Sequence, residues 1–126
     1  MLAYLKLIRL KQWTKNLFIF VPIFFAGNLF KSLGLYTELF LGFVAFSVTA
    51  SAIYIFNDYR DREVDRLHPK KKFRPLASGA ANVKVSLVLM ALLIATGLAI
   101  AYYLDLRFLM LLGTYLIINV AYTLGL

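Results

Sequence analysis

Apolar residues gather in four runs along the chain: Leu17 to Phe30, Leu39 to Phe56, Val85 to Leu104 and Phe108 to Leu126, which hold 14, 18, 20 and 19 residues. A helix that crosses the hydrocarbon core of a bilayer needs about 20 apolar residues, so the last three runs are read directly as spans. The first reaches that length when its helix starts near Trp13, with Lys15 and Asn16 at headgroup level and Pro22 tolerated as a kink. The pattern therefore predicts an all-α membrane protein with four transmembrane helices at about 13–30, 39–56, 85–104 and 108–126, forming one domain over 1–126. Upstream, Met1 to Lys11 alternates Leu, Tyr and Ile with Lys6, Arg9 and Lys11, the pattern of a helix lying in the membrane interface. Lys31 to Glu38 and Asp105 to Arg107 are read as short external turns. One long hydrophilic stretch remains, Asn57 to Lys84.

Composition agrees with the spans. Hydrophobic residues make up 62% of the 126, and the mean hydropathy is +0.78, well above the roughly 45–50% apolar content of a soluble domain. No cysteine is present, which excludes disulfide frameworks and thiolate metal sites. The net charge of +8 does not point to nucleic acid, because long apolar runs interrupt the basic residues and keep them from lining one groove. Anionic membrane lipid and phosphorylated substrates are the expected partners. No small-x-small cleavage site follows Phe24-Phe25-Ala26, so the first span is read as retained. Lys6, Arg9, Lys11 and Lys15 precede it, and Arg60, Arg62, Arg66, Lys70, Lys71, Lys72, Arg74 and Lys84 lie between spans two and three. Only Lys31 and Arg107 fall on the other side. The positive-inside rule then places the N-terminus and the 57–84 loop in the cytoplasm, on a multi-pass protein of the inner cell membrane.

The hydrophilic stretch concentrates the acidic residues: four of the six in the chain, Asp58, Asp61, Glu63 and Asp65, fall within eight positions. No helix breaker separates Phe56 from Leu67, so span two is expected to continue out of the bilayer until His68-Pro69 stops it. At about 100° per residue Asp58, Asp61 and Asp65 share one helix face and Glu63 points elsewhere. Carboxylates stacked in this way repel each other unless a positive charge lies between them. Mg²⁺ suits them, since it takes oxygen ligands and is usually held by one or two carboxylates together with substrate phosphates. Asn57 adds an amide oxygen. A plainer alternative is that the aspartates pair with Arg60, Arg62 and Arg66 on a solvated helix surface.

The residues that follow, HPKKKFRPLASG from His68 to Gly79, set Lys70, Lys71, Lys72 and Arg74 around Phe73 between two prolines. Carboxylates for a metal followed by cations for phosphate oxygens is the set needed to bind pyrophosphate and release it. The positive-inside rule accounts for part of this charge, and least for Arg74, fixed before Pro75. His68 is read as a structural residue, Trp13 as an interfacial anchor, and Tyr115, Asn119 and Tyr122 as polar groups that hydrogen-bond neighbouring helices.

Asn57-Asp58-Tyr59-Arg60-Asp61-Arg62-Glu63-Val64-Asp65 resembles the NDxxDxxxD signature of the UbiA superfamily of intramembrane prenyltransferases. Arg74 to Gly79, RPLASG, is similar to the segment that follows that signature, and Arg9 to Asn16, RLKQWTKN, is similar to the opening of the polyprenyl-phosphate phosphoribosyltransferase branch. The resemblance implies a helical bundle with a polar site opening to the cytoplasm and a lipid-facing channel for a polyprenyl chain. It implies Mg²⁺ at Asp58, Asp61 and Asp65, with Asp58 and Asp61 as catalytic residues. Candidate substrate-binding residues are Asn57, Lys11, Lys15, Arg62, Lys70, Lys71, Lys72 and Arg74.

The implied reaction is Mg²⁺-dependent transfer of 5-phosphoribose from phosphoribosyl pyrophosphate to a polyprenyl phosphate. Transfer of a prenyl group from a prenyl diphosphate to an aromatic acceptor is the alternative, and a non-catalytic membrane subunit is a further one. Members of the superfamily carry a second aspartate cluster in a later helix. These 126 residues hold none, so the resemblance implies the first half of a bundle completed by a C-terminal half or another polypeptide.

Overall fold

The structure, a computed structural model, describes residues 2–26 and 33–125, and all regular structure among them is helical. Six helices follow in order: α1 (Leu2–Ile8), α2 (Leu10–Ala26), α3 (Leu33–Arg66), α4 (Pro75–Ser78), α5 (Val83–Leu104) and α6 (Leu106–Thr123), with a 3₁₀ turn at Lys71–Phe73 before α4. Among the described residues three segments are long and apolar enough to cross a membrane: Phe40–Arg66, Val83–Leu104 and Leu106–Thr123. The expected first span falls on α2, which has 17 described residues, and positions 27–30 of that span lie outside the described residues.

α3 organises the bundle. Its 34 residues extend roughly 50 Å at 1.5 Å per residue, longer than the roughly 30 Å hydrocarbon core, so one end projects. It ends at Arg66, where Leu67 N and His68 N turn back to Val64 O and Asp65 O (3.1 and 3.0 Å) ahead of Pro69. This is the stop expected from His68-Pro69. The turn expected over Lys31 to Glu38 is not seen at its described positions, 33–38. Residues 33–38 are already the first turns of α3, because Gly34 alone does not interrupt a helix whose other positions favour it. Lys31 and Ser32 lie outside the described residues.

The share of residues buried is 56% in the α3 window, against 17% in α5 and 6% in α6. α3 is therefore the inner helix, and α5 and α6 present apolar side chains such as Leu92, Leu111 and Ile117 outward. Gly97 of α5 lies against Ala45, Val48 and Thr49 of α3, so closely that a Cβ there would stand 2.2 Å from Thr49 Oγ1 and 3.0 Å from Ala45 O. Thr49 is buried, and its hydroxyl donates to Ala45 O (2.9 Å). Ala45, Ala101 and Leu112 continue this core toward α6, with the rings of Phe46 and Tyr115 5.1 Å apart.

On its other side α3 meets α2 through hydrogen bonds. Asn16 Nδ2 donates to Ser47 Oγ (3.0 Å), and Trp13 Nε1 donates to Ser51 Oγ (2.9 Å). The Trp13 and Phe43 rings meet edge to face at 6.1 Å. A second core, Leu7, Ile55, Leu76 and Ala81, joins α1 and α4 to the projecting end of α3. One residue, Asp105, connects α5 to α6, and its Oδ1 accepts from Arg107 N (2.8 Å). The turn expected at Asp105 to Arg107 is thus present in shorter form.

Candidate functional site

At the projecting end three segments converge on α3: the α1–α2 joint, the Arg74 to Gly79 segment and the end of α6. The joint is Arg9. Its φ of 58° is the one positive value at a non-glycine residue among those described, and a side chain in this left-handed region costs roughly 1–2 kcal/mol. Arg9 N donates to Lys6 O (3.1 Å), and Arg9 O accepts from Gln12 N (2.9 Å). The break leaves Ile8 O without a helical donor, and Ser51 Oγ supplies one (2.7 Å) while accepting from Trp13. Met1 to Lys11 was expected as one interfacial helix. Instead it is divided at Arg9, with Leu7 buried in the core. Trp13, expected at the membrane interface, uses its indole N–H inside the bundle.

The break turns Arg9 toward α3. Its Nη2 donates to Asp58 Oδ1 at 2.5 Å, and its guanidinium lies 4.8 Å from the centroid of the Tyr54 ring. Asp58 is only 3% exposed. A carboxylate so enclosed has to be paired, and a second guanidinium completes the pairing: Arg74 Nη1 is 3.5 Å from Asp58 Oδ1 and 3.3 Å from Asp65 Oδ2. The ion pairs thus come from Arg9 and Arg74, distant in sequence, while Arg60, Arg62 and Arg66 make none with the aspartates among the described residues.

The RPLASG segment has a local logic. Arg74 is extended (φ −61°, ψ 144°), as a residue before proline prefers, and Pro75 opens α4 with its φ already set. Leu76 is 1% exposed and anchors the segment in the core. Gly79 closes the helix at φ 85°, where a side chain would be strained. Arg66 Nε reaches across to Ala77 O (2.8 Å). Arg74 is thereby held over the carboxylates and does not trail in solvent.

A cavity of about 360 Å³ opens here, lined by Arg9, Tyr54, Asn57, Asp58, Asp61, Arg74, Tyr122 and Thr123. It brings together Asn57, Asp58, Asp61 and Arg74 from the expected set. Asp61 is exposed and has no ion pair among the described residues. Asp65 is buried and held by Arg74, and does not line the cavity. Arg62 bonds its own turn, donating to Tyr59 O (2.7 Å) and stacking on the Tyr59 ring at 4.4 Å. Lys70, Lys71 and Lys72 are exposed outside the cavity; the backbone N–H groups of the first two bond His68 Nδ1 (both 3.1 Å), and Lys72 Nζ lies 5.2 Å from the Phe73 ring. His68 is structural here, as expected. Lys11 lines a neighbouring cavity of about 410 Å³ with Leu5, Lys6, Arg9, Leu10 and Gln12, and Lys15 is exposed.

Arg9, Tyr54, Tyr122 and Thr123 were not singled out for the site. Thr123 is hydrogen-bonded to Asn57 Oδ1 and also to Asn119 O (2.9 Å). Its signal in sequence is faint, a threonine near the end of an apolar run. Arg9 had a stronger one, since it opens the segment that carried the family resemblance.

A divalent cation can be tested against these donors. Among the described residues no three acidic or histidine side chains converge, so a closed protein cage is not formed. Asp58, Asp61 and the Asn57 amide do share one cavity with two guanidiniums. Two carboxylates and an amide oxygen fit an ion such as Mg²⁺ that fills its remaining positions with water and phosphate oxygens.

Residues 16–126 match the model of the UbiA prenyltransferase family. The chain is 34% identical to decaprenyl-phosphate phosphoribosyltransferase of Mycolicibacterium smegmatis, over 97% of this chain and 39% of that protein. It is 36% identical to the protein of the same name from Mycobacterium tuberculosis, over 96% of this chain and 41% of that one. An uncharacterised protein, y4nM of Sinorhizobium fredii, is 37% identical over 95% of this chain and 23% of its own length. The chain thus spans less than half the length of these curated relatives. With the family match covering both the aspartate helix and the helices around it, the chain belongs to the UbiA prenyltransferase family.

Proposed function

We propose that the whole protein is a Mg²⁺-dependent membrane transferase that moves 5-phosphoribose from phosphoribosyl pyrophosphate to a polyprenyl phosphate and releases pyrophosphate. The observation that carries this reading is the gathering, in one cavity at the end of apolar helices, of two carboxylates, an amide and two guanidiniums. Relatives named decaprenyl-phosphate phosphoribosyltransferase, at 34–36% identity, support the choice of donor and acceptor.

Asp58, Asp61 and Asn57 would hold the cation, which supplies charge neutralisation for the departing pyrophosphate. Arg74 faces the same space from the loop, with guanidinium N–H donors beyond those used on Asp58 and Asp65 to offer phosphate oxygens. In the transfer the C1–oxygen bond to pyrophosphate breaks and a new C1–oxygen bond to the polyprenyl phosphate forms. The attacking oxygen is already anionic, so no side chain is needed as a general base. Tyr122 and Thr123 close the cavity from α6. Asp65 acts through Arg74, fixing the guanidinium by its 3.3 Å contact.

In this reading the first apolar run, Leu17 to Phe30, belongs to a fourth span. The cavity is then read as opening to the cytoplasmic side of the inner membrane, a reading that the twelve-to-two excess of basic residues in the chain supports. The part of the relatives' length that this chain does not cover would, in this reading, complete the bundle.

Full-length protein reconstituted with polyprenyl phosphate should consume phosphoribosyl pyrophosphate in the presence of Mg²⁺ and stop when the ion is chelated. Asp58→Asn and Asp61→Asn should each lower turnover by about a thousandfold, equivalent to roughly 4 kcal/mol of transition-state stabilisation. Turnover surviving both changes would remove the assignment.

A further inference from the structure

We infer that Arg9 is a substrate-phosphate ligand that shares Asp58 with the cation, and that Ser51 and Trp13 are the positioning residues that hold it there. The inference rests on the reading just given of the cavity as a cation and diphosphate site.

Three observations converge on Arg9. It occupies a left-handed backbone position that nothing in its own side chain favours, and such outliers persist only where the surrounding structure fixes them. The fixing group is identifiable. Ser51, fully buried, donates to Ile8 O at 2.7 Å and accepts from Trp13 Nε1 at 2.9 Å, so one hydroxyl holds the residue before the kink and the first turns after it.

The guanidinium that this kink presents lies in the cavity wall, clamped between Asp58 and the Tyr54 ring. Of its five N–H donors only one is engaged with a side chain among the described residues, at Asp58 Oδ1. The others are available to a phosphate.

Asp58 meanwhile has two guanidiniums against one oxygen. A cation bound by that carboxylate competes with Arg9 for it, while a phosphate arriving with the cation offers Arg9 an equivalent anionic partner. Arg9 therefore has a different sign of effect on the two ligands. It opposes a bare cation at Asp58 and favours a cation that brings a diphosphate. A merely structural arginine would have the same sign for both.

Mn²⁺ in place of Mg²⁺ allows this to be read by electron paramagnetic resonance on the full-length protein in detergent, titrated with the ion alone and with the ion plus inorganic pyrophosphate. Arg9→Gln should bind Mn²⁺ alone about tenfold more tightly than the unaltered protein and Mn²⁺ with pyrophosphate about tenfold more weakly, the size of one charge-assisted hydrogen bond in each direction. Trp13→Phe keeps the ring and removes only the N–H. It should weaken Mn²⁺ with pyrophosphate about threefold and tighten Mn²⁺ alone by about the same factor, because Arg9 is then held less firmly on Asp58, and it serves if Arg9→Gln does not fold. Shifts of the same sign in both titrations of Arg9→Gln, or no change in Trp13→Phe, would overturn the inference. Asp58→Asn separates it from the underlying reading. If that variant still binds Mn²⁺ with pyrophosphate at full affinity, the cation site itself is misplaced. If it loses both ligands while Arg9→Gln matches the unaltered protein, only the role of Arg9 fails.

Discussion

α3 has two seams built on different physics. Toward α5 it offers Ala45, Val48 and Thr49, and Gly97 lets the two backbones come so close that no Cβ fits between them. Toward α2 it offers the hydroxyls of Ser47 and Ser51 to an amide and an indole. In lipid no hydrophobic effect drives helices together, so close packing and hydrogen bonds carry the association. Close packing is strong because many atoms contribute a little each. A hydrogen bond contributes less and demands one donor opposite one acceptor. The α5 seam therefore holds the bundle together, and the α2 seam fixes the axial position of the helix that begins directly after Arg9.

The largest effect should come from Gly97→Val. Its Cβ would meet Thr49 Oγ1 at 2.2 Å and the immobile Ala45 O at 3.0 Å, and overpacking of this kind costs about 3 kcal/mol. Denaturation in mixed detergent micelles should show the loss, while the fraction that stays folded binds Mn²⁺ with pyrophosphate normally. Weakened binding in a stably folded variant would mean that the seams do not divide the work in this way.

Ser51→Ala comes next. It strands both the Trp13 N–H and Ile8 O, for about 1–2 kcal/mol of stability. Because these groups hold the Arg9 kink, pyrophosphate-dependent Mn²⁺ affinity should fall with it. Ser47→Ala removes the corresponding partner of Asn16, further from the kink. About 0.6 kcal/mol is expected, the mean for hydrogen bonds between membrane helices, with no change in binding. Equal binding losses in Ser47→Ala and Ser51→Ala would show that the α2 seam acts as a whole and not through the kink.

Much of this was readable along the chain, and the boundary of what was readable follows from range. The long extension of α3, its end before Pro69 and the common face of the aspartates depend on neighbours within a few positions, where helical periodicity and proline sterics decide. Arg74 was legible for the same reason, since Pro75 fixes its backbone. Arg9 was not, because its conformation depends on a serine hydroxyl 42 positions later. The serines on the α2 face of α3 went unread inside an apolar run, although a buried hydroxyl has to find a partner. The lysines drew attention by their density, yet density is what solvent tolerates best, and Lys70 to Lys72 remain exposed. The pairing of the aspartates with Arg9 and Arg74 depends on where two loops are tied down, which composition does not report.

The single-residue joint at Asp105 has an angular consequence at the far end of α6. Thr123, which contacts Asn57, is the last of the eighteen helical residues that follow the joint, and no slack lies between α5 and α6 to absorb an error. Each residue added to or removed from the joint rotates α6 by about 100°. The joint thus sets the phase of the helix, and a one-residue insertion after Asp105 should swing Thr123 and Tyr122 out of the cavity wall without touching any residue of the site.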